Sequence, residues 1–138
     1  MIRISRLADY GVVMMCEMSL EPGEPFSATH LSGKTKMSDS AIMKILKLLS
    51  KADLLGSIRG PKGGYFVKKD PTSITVLDVV NAIDGPVAVT LCSHNSHESC
   101  EFKASCAAKR GWVNINSALQ STLSQFTIAD FISTTPRK

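Results

Sequence analysis

No apolar run in the sequence approaches the roughly 20 residues that a membrane-spanning helix requires, so no membrane partner is expected. The opening Met1-Ile2-Arg3-Ile4-Ser5-Arg6 lacks the apolar stretch and small-residue cleavage site of an export signal, which favours a cytoplasmic setting. No internal repeat and no low-complexity tract is visible, so each stretch is read on its own terms. No histidine–carboxylate arrangement stands out. The one glycine cluster, Gly60–Gly64, is not a phosphate-binding loop opening a helix, so an enzyme is not expected. Charged residues are only 20% of the chain against 43% hydrophobic, which argues against a disordered basic tail. At 138 residues the chain suits one compact unit, or a small domain with a helical appendage, and not a large two-domain enzyme.

The net charge of +4 is mild until it is divided along the chain. Residues 71–138 carry 5 basic and 5 acidic side chains and balance at zero. Residues 34–69 carry 9 basic and 2 acidic, a local surplus of +7. Such a concentration points to an anionic partner.

From about Ser5 to Lys69 the apolar residues recur at helical spacing. Leu7, Tyr10, Gly11, Met14, Met15 and Met18 mark one face of a first helix, in which Cys16 reads as a buried thiol. Glu21-Pro22-Gly23-Glu24-Pro25 breaks the chain, and Ser27 can cap a short second helix carrying Ala28 and Leu31. After Met37, Ser38 or Asp39 can cap a third helix, with Ile42, Ile45, Leu46 and Leu49 on one side and Lys44, Lys47 and Lys51 on the other. Two short helices joined by a tight turn, the second basic on its exposed face, form the helix-turn-helix pattern. The major groove admits such a helix while its lysines approach phosphates along the rim. Leu54–Arg59 and Tyr65–Lys69 then read as strands around a Gly60-Pro61-Lys62-Gly63-Gly64 turn, a wing whose tip can bring N–H groups, Arg59 and Lys62 against a phosphate chain or into a minor groove.

Thr75 to Ile83 reads as a helix capped by Thr75 and stopped by Gly85-Pro86, its apolar residues closing the winged-helix core. Beyond Val89 the pattern dissolves into a polar stretch holding Cys92, Cys100 and Cys106 within 15 residues, at C-x7-C-x5-C spacing. Soft thiolates suit zinc or an iron–sulfur cluster. The short knuckle of a structural zinc site is absent, and the longer gaps favour a cluster. His94, His97, Glu98 and Glu101 are candidate fourth ligands from the same stretch; three free cysteines with no ligand are the plain alternative. Trp112, Ile115, Ala118, Leu119 and Leu123 mark a final long helix, used either for dimerisation or for packing within one subunit. Thr127 can cap a last turn from Ile128 to Ile132.

With these residues in place the chain resembles the IscR-type family of winged-helix regulators that carry iron–sulfur clusters. The resemblance covers nearly the whole length: Arg3-Ile4-Ser5 at the start, the wing signature Ile58-Arg59-Gly60-Pro61-Lys62-Gly63-Gly64-Tyr65, the cysteine triad, and Thr127-Ile128-Ala129-Asp130 near the end. Leu7-Ala8-Asp9-Tyr10 and Arg110-Gly111-Trp112-Val113-Asn114-Ile115-Asn116 are similar to regulators of the SUF iron–sulfur assembly operon. The resemblance implies base reading by Ser38, Ser40, Ala41, Met43 and Lys44, with Arg59, Lys62, Gly63 and Gly64 on the backbone or in the minor groove. It implies metal ligation by Cys92, Cys100 and Cys106. Nitric-oxide-sensing members ligate the cluster with an Asp, from the partner subunit, at the position of Asp9. Two departures stand out. Lys109 occupies the place of a histidine in the family's prototype, whose first cysteine gap is also shorter, and Met43 replaces an acidic residue that discriminates between DNA sites.

The expected fold is therefore mainly α with a small β-hairpin wing. Residues 1–85 form a winged helix-turn-helix domain, 86–108 a cysteine-rich cluster-binding loop, and 109–138 a dimerisation helix with a C-terminal turn. The expected function is a homodimeric, sequence-specific repressor that binds a double-stranded DNA operator. It senses iron–sulfur status through a 2Fe–2S or 4Fe–4S cluster and controls cluster-assembly genes. A nitric-oxide or redox sensor of the same family and a zinc- or iron-binding redox protein are the alternatives.

Overall fold

A computed structural model of the chain describes residues 2–93, 100–102 and 105–134. The first four helices each start at a hydroxyl side chain. Ser5 accepts the Ala8 N–H ahead of α1 (Arg6–Ser19), Ser27 the His30 N–H ahead of α2 (Ala28–Thr35), and Ser38 the Ala41 N–H ahead of α3 (Asp39–Lys51). Thr75 and Asp78 exchange bonds in a capping box that opens α4 (Val76–Asp84), and Gly85, at φ 84°, closes that helix where it was expected to stop. A 17-residue helix, α5 (Lys109–Gln125), and a short α6 (Ile128–Thr134) complete the chain. The strands β1 (Leu55–Ile58) and β2 (Gly64–Val67) pair antiparallel, with Leu55 opposite Val67 and Ile58 opposite Gly64.

The core forms where the apolar faces converge. Met14, Met15 and Met18 of α1 meet Leu31 of α2, Ile42, Ile45, Leu46 and Leu49 of α3, and Val79 and Val80 of α4. The four buried residues of α3 each contribute about 1.5–3 kcal/mol of gross burial free energy, which fixes the helix with its lysines outward. Gly11 lets α1 and α4 approach closely, because a β-carbon there would run into the Ile83 side chain.

Two short pairings hold this core together that the sequence pattern does not announce. Phe26 and Tyr65 exchange backbone bonds of 2.7 and 2.9 Å, adding one bridge beside β2 and pinning the wing to the start of α2. Thr75 and Thr127 form a second bridge, flanked by bonds from Val76 N–H to Phe126 O and from Ile128 N–H to Ile74 O, both 2.9 Å. That bridge returns the chain after α5 to the core. There Ile128 is fully buried and α6 packs on α1 and on the 3-10 turn Pro71–Ser73.

Candidate nucleic-acid interface and cysteine segment

The turn between α2 and α3 is set by Lys36, which takes the left-handed conformation (φ 57°, ψ 20°) and donates its N–H to Ser32 O. Met37 follows and is buried, so an apolar side chain anchors the tight turn between the two helices. The Ser32 hydroxyl donates to Met37 O at 3.2 Å and fixes the corner further. Ser38 is exposed and caps α3, its hydroxyl 3.3 Å from that of Ser40. Ser40, Lys44 and Lys47 are exposed beyond it, whereas Ala41 is half-buried. Met43 is also half-buried and leans on the core.

The wing tip closes with a 3.0 Å bond from Gly63 N–H to Gly60 O. Gly60 has φ 121°, and a β-carbon on Gly63 would strike the Ile58 carbonyl oxygen. Gly63 therefore has no room for a side chain, whereas at Gly60 a side chain would meet only the strain of its positive φ. Arg59 and Lys62 stand exposed on either side of the tip, and Gly63 and Gly64 are half-buried within it. Of the basic residues between 34 and 69, Lys34 pairs with Glu21 and lies over the Phe26 ring, and Lys68 pairs with Asp53. The Lys68 ammonium holds the Asp53 carboxyl below its usual range, first by its hydrogen bond and then by its charge. Lys36, Lys44, Lys47, Lys51, Arg59 and Lys62 make no ion pair with a described residue. Their charge is available to an outside anion.

Cys92, Cys100 and Cys106 are all half-buried and none is in a disulfide. Cys92 lies in a 3-10 turn, Leu91–Ser93, with its sulfur 3.2 Å from the Thr90 hydroxyl. Asp9 is exposed in the first turn of α1. It lines an open groove of about 970 Å³ together with Arg3, Arg6, Val76, Asp84 and Phe131, and none of the three cysteines lines that groove. Among the described residues of this one chain, no three His, Cys, Asp or Glu side chains come together as a group that could hold a metal ion. His94, His97 and Glu98 lie outside the described residues. Glu101 is exposed. Cys16 stands apart in α1, where burial, and then the Glu17 charge, push its thiol up to about 11 and keep it protonated.

The long helix α5 behaves unlike the others. Trp112, Val113 and Ile115 are 38%, 40% and 48% exposed, Ala118 is exposed, and Leu119 and Leu123 are half-buried. The buried residue of α5 is polar: Asn116 accepts the Val89 N–H at 3.0 Å and donates to Ser93 O at 3.3 Å. Apolar periodicity could not find this residue, because it is an amide among the very residues that would mark a packing face. No helix of the described chain is long and apolar enough to cross a membrane.

Residues 4–134 match the model of the Rrf2 family, described as iron-dependent transcriptional regulator. The chain belongs to that family. An HTH-type transcriptional regulator IscR from Yersinia pestis is 28% identical over 132 residues, covering 95% of this chain and 79% of the relative. The structure of CymR, the global cysteine regulator of B. subtilis, superposes with a TM-score of 0.75 at 27% identity, over 99% of this chain and 100% of that one. IscR of T. potens shares the fold, with a TM-score of 0.71 at 22% identity over 99% of this chain and 94% of that one. This Rrf2 protein is thus a DNA-binding transcription regulator of mainly helical, winged-helix architecture, and it is not an enzyme.

Proposed function

We propose that this Rrf2 protein is a homodimeric repressor whose affinity for its operator depends on an iron–sulfur cluster, and that the genes it controls serve cluster assembly. The observation that carries this reading is the donor set: three half-buried cysteines, all free of disulfides, on the segment between α4 and α5. Thiolates are the ligands that iron–sulfur clusters take, and hydrogen bonds to the sulfurs and solvent exposure set the cluster's reduction potential. Cys92, Cys100 and Cys106 would hold the cluster in one subunit, with Asp9 of the partner subunit as fourth ligand. When bound, the cluster supplies a redox- and iron-dependent cross-link between those side chains.

The chain's own residues do the rest. Ser38, Ser40, Ala41, Met43 and Lys44 face the major groove, with Met43 offering apolar contact where an acidic residue would select by repulsion. Arg59, Lys62, Gly63 and Gly64 meet the backbone or the minor groove, where the tight tip allows close approach. The exposed Trp112, Val113 and Ile115 of α5 support a two-fold dimer, which places two α3 helices on two half-sites. With Asp9 and the cysteines engaged across that dimer, segment 86–106 and the partner's α1 move together, so the spacing of the α3 helices follows ligand engagement.

The test is anaerobic purification with a visible spectrum and counts of iron and sulfide per chain, followed by titration of an operator selected from random duplexes. Cluster-loaded and cluster-free protein, and a variant with all three cysteines changed to serine, should share a dimeric fold and differ in operator affinity. A colourless protein holding one zinc ion, or equal affinity in all three states, overturns the proposal.

A further inference from the structure

The chain from Pro86 to Thr90 forms no helix or strand, yet it carries Cys92 toward α5. Its position is set by side chains of α5. Asn116 is 5% exposed, and both ends of its amide are used on this segment: Oδ1 accepts from Val89 N–H, 27 positions away, and Nδ2 donates to Ser93 O, 23 positions away. One turn further on, Gln120 Nε2 donates to Val87 O at 3.0 Å. The short turn held between these anchors is closed internally. Ser93 donates its hydroxyl to Thr90 O at 2.7 Å and accepts the Thr90 N–H at 3.0 Å. Cys92 therefore sits between the two backbone groups that Asn116 grips.

A buried amide that lost these partners would leave its own donor and acceptor unsatisfied, so the pairing is favoured from both sides. The residue type fits the task. A leucine of similar size could fill the space but could not hold an N–H and a carbonyl at once.

We infer that Asn116 is a positioning residue for Cys92, fixing that sulfur from the long helix so that the cysteine site and α5 are mechanically joined. The inference rests on the reading of Cys92 as a cluster ligand and extends it. Second-layer groups of this kind orient ligands and tune the affinity of a metal site. Asn116 does so through the backbone on either side of Cys92, and Thr90 stands beside the sulfur itself.

The experiment compares wild type with Asn116→Leu and Asn116→Asp. Its readouts are amide hydrogen exchange at Val89, iodoacetamide labelling of each cysteine in cluster-free protein by peptide mass spectrometry, and iron and sulfide retained after anaerobic purification. In Asn116→Leu, Val89 exchange and Cys92 labelling should each rise about tenfold, the loss of roughly one hydrogen bond to a buried group, while Cys100 and Cys106 label at wild-type rates. Asn116→Asp keeps the acceptor but sets a carboxylate oxygen against the Ser93 carbonyl. Val89 should stay protected while Cys92 labels faster, and this variant decides the matter if the leucine variant does not fold. Unchanged Cys92 labelling, or equal acceleration at all three cysteines, overturns the assignment. A wild type that holds no cluster would instead defeat the proposed function, and labelling and exchange in cluster-free protein would still judge Asn116.

Discussion

The Ser5 hydroxyl joins the first helix to the fourth: it accepts the Ala8 N–H at 3.0 Å and donates to Asp84 Oδ1 at 2.7 Å, across 79 positions of sequence. The start of α1, which carries Asp9, is thereby tied to the end of α4, where the chain leaves for the cysteine segment. Ser5→Ala removes the cap and the tie together and should cost about 1–1.5 kcal/mol, lowering Tm by about 3–5 °C. Asp84→Asn keeps an acceptor for Ser5 and removes a negative charge from a helix C-terminus, so its stability should stay within about 0.5 kcal/mol of wild type. Thermal unfolding of both variants checks the pair, and equal losses would show that the tie depends on the charge of Asp84.

The wing tip yields a second expectation. A β-carbon on Gly63 meets the Ile58 and Gly60 carbonyl oxygens, which are backbone atoms that cannot swing aside. At Gly60 a β-carbon meets nothing within 4 Å, and the cost is only that of φ 121°. Gly63→Ala should therefore reshape the tip and weaken operator binding by about tenfold or more, with helical circular dichroism preserved. Gly60→Ala should cost roughly 1 kcal/mol of stability and bind closer to wild type. Binding titrations at fixed salt, with the reverse order of the two variants as the contrary result, distinguish a shaped tip from a merely flexible one.

Local signals explain why the helices and wing were legible before the structure. Ser27, Ser38, Thr75 and Thr127 stand at helix starts, Gly85 at a stop, and the spacing of Ile42, Ile45, Leu46 and Leu49 can bury only one face. The Phe26–Tyr65 and Thr75–Thr127 bridges were not legible, because single backbone pairings between distant residues leave no periodic trace. Met37 was hidden for another reason: one apolar residue in a tight turn carries no pattern, although it is the anchor of that turn. The cysteines were visible by type and spacing, whereas Asn116 needed the fold to bring it onto Val89 and Ser93. Asp9 could be named only through family resemblance, since one exposed carboxylate on a first helix turn looks like any other surface charge.

The return of the chain after α5 depends on Asp130 in a way that pH should reveal. Its carboxylate accepts the Thr127 N–H at 2.7 Å and the Thr127 hydroxyl at 2.8 Å, and these bonds, the backbone one first, hold its pKa below the usual 3.8. A depressed folded-state pKa gives stability that is present above the unfolded value and lost as pH falls through the folded one. Wild type should thus exceed Asp130→Ala in urea midpoint by its full margin above about pH 5, and the margin should shrink below about pH 4. A margin constant from pH 7 to pH 2.5 would mean that the carboxylate's charge plays no part in closing the turn.

The last expectation separates basic residues that are free from those already engaged. Binding to duplex DNA releases counterions, and the slope of log affinity against log salt falls by about one for each phosphate contact removed. Lys44 on α3 and Lys62 at the wing tip are exposed and pair with no described carboxylate. Lys68 pairs with Asp53 on its own chain, which lowers what it can offer a phosphate and leaves Asp53 as an uncompensated anion if it is removed. Lys44→Ala and Lys62→Ala should each reduce the slope by about one. Lys68→Ala should reduce it by less, and Asp53→Asn, which frees Lys68, should strengthen binding slightly at low salt. Titrations at three or more salt concentrations decide this. If all three lysine variants shifted the slope equally, the surplus of +7 between residues 34 and 69 would act as a diffuse field. Unequal slopes in the stated order would place the duplex against the exposed face of α3 and the wing.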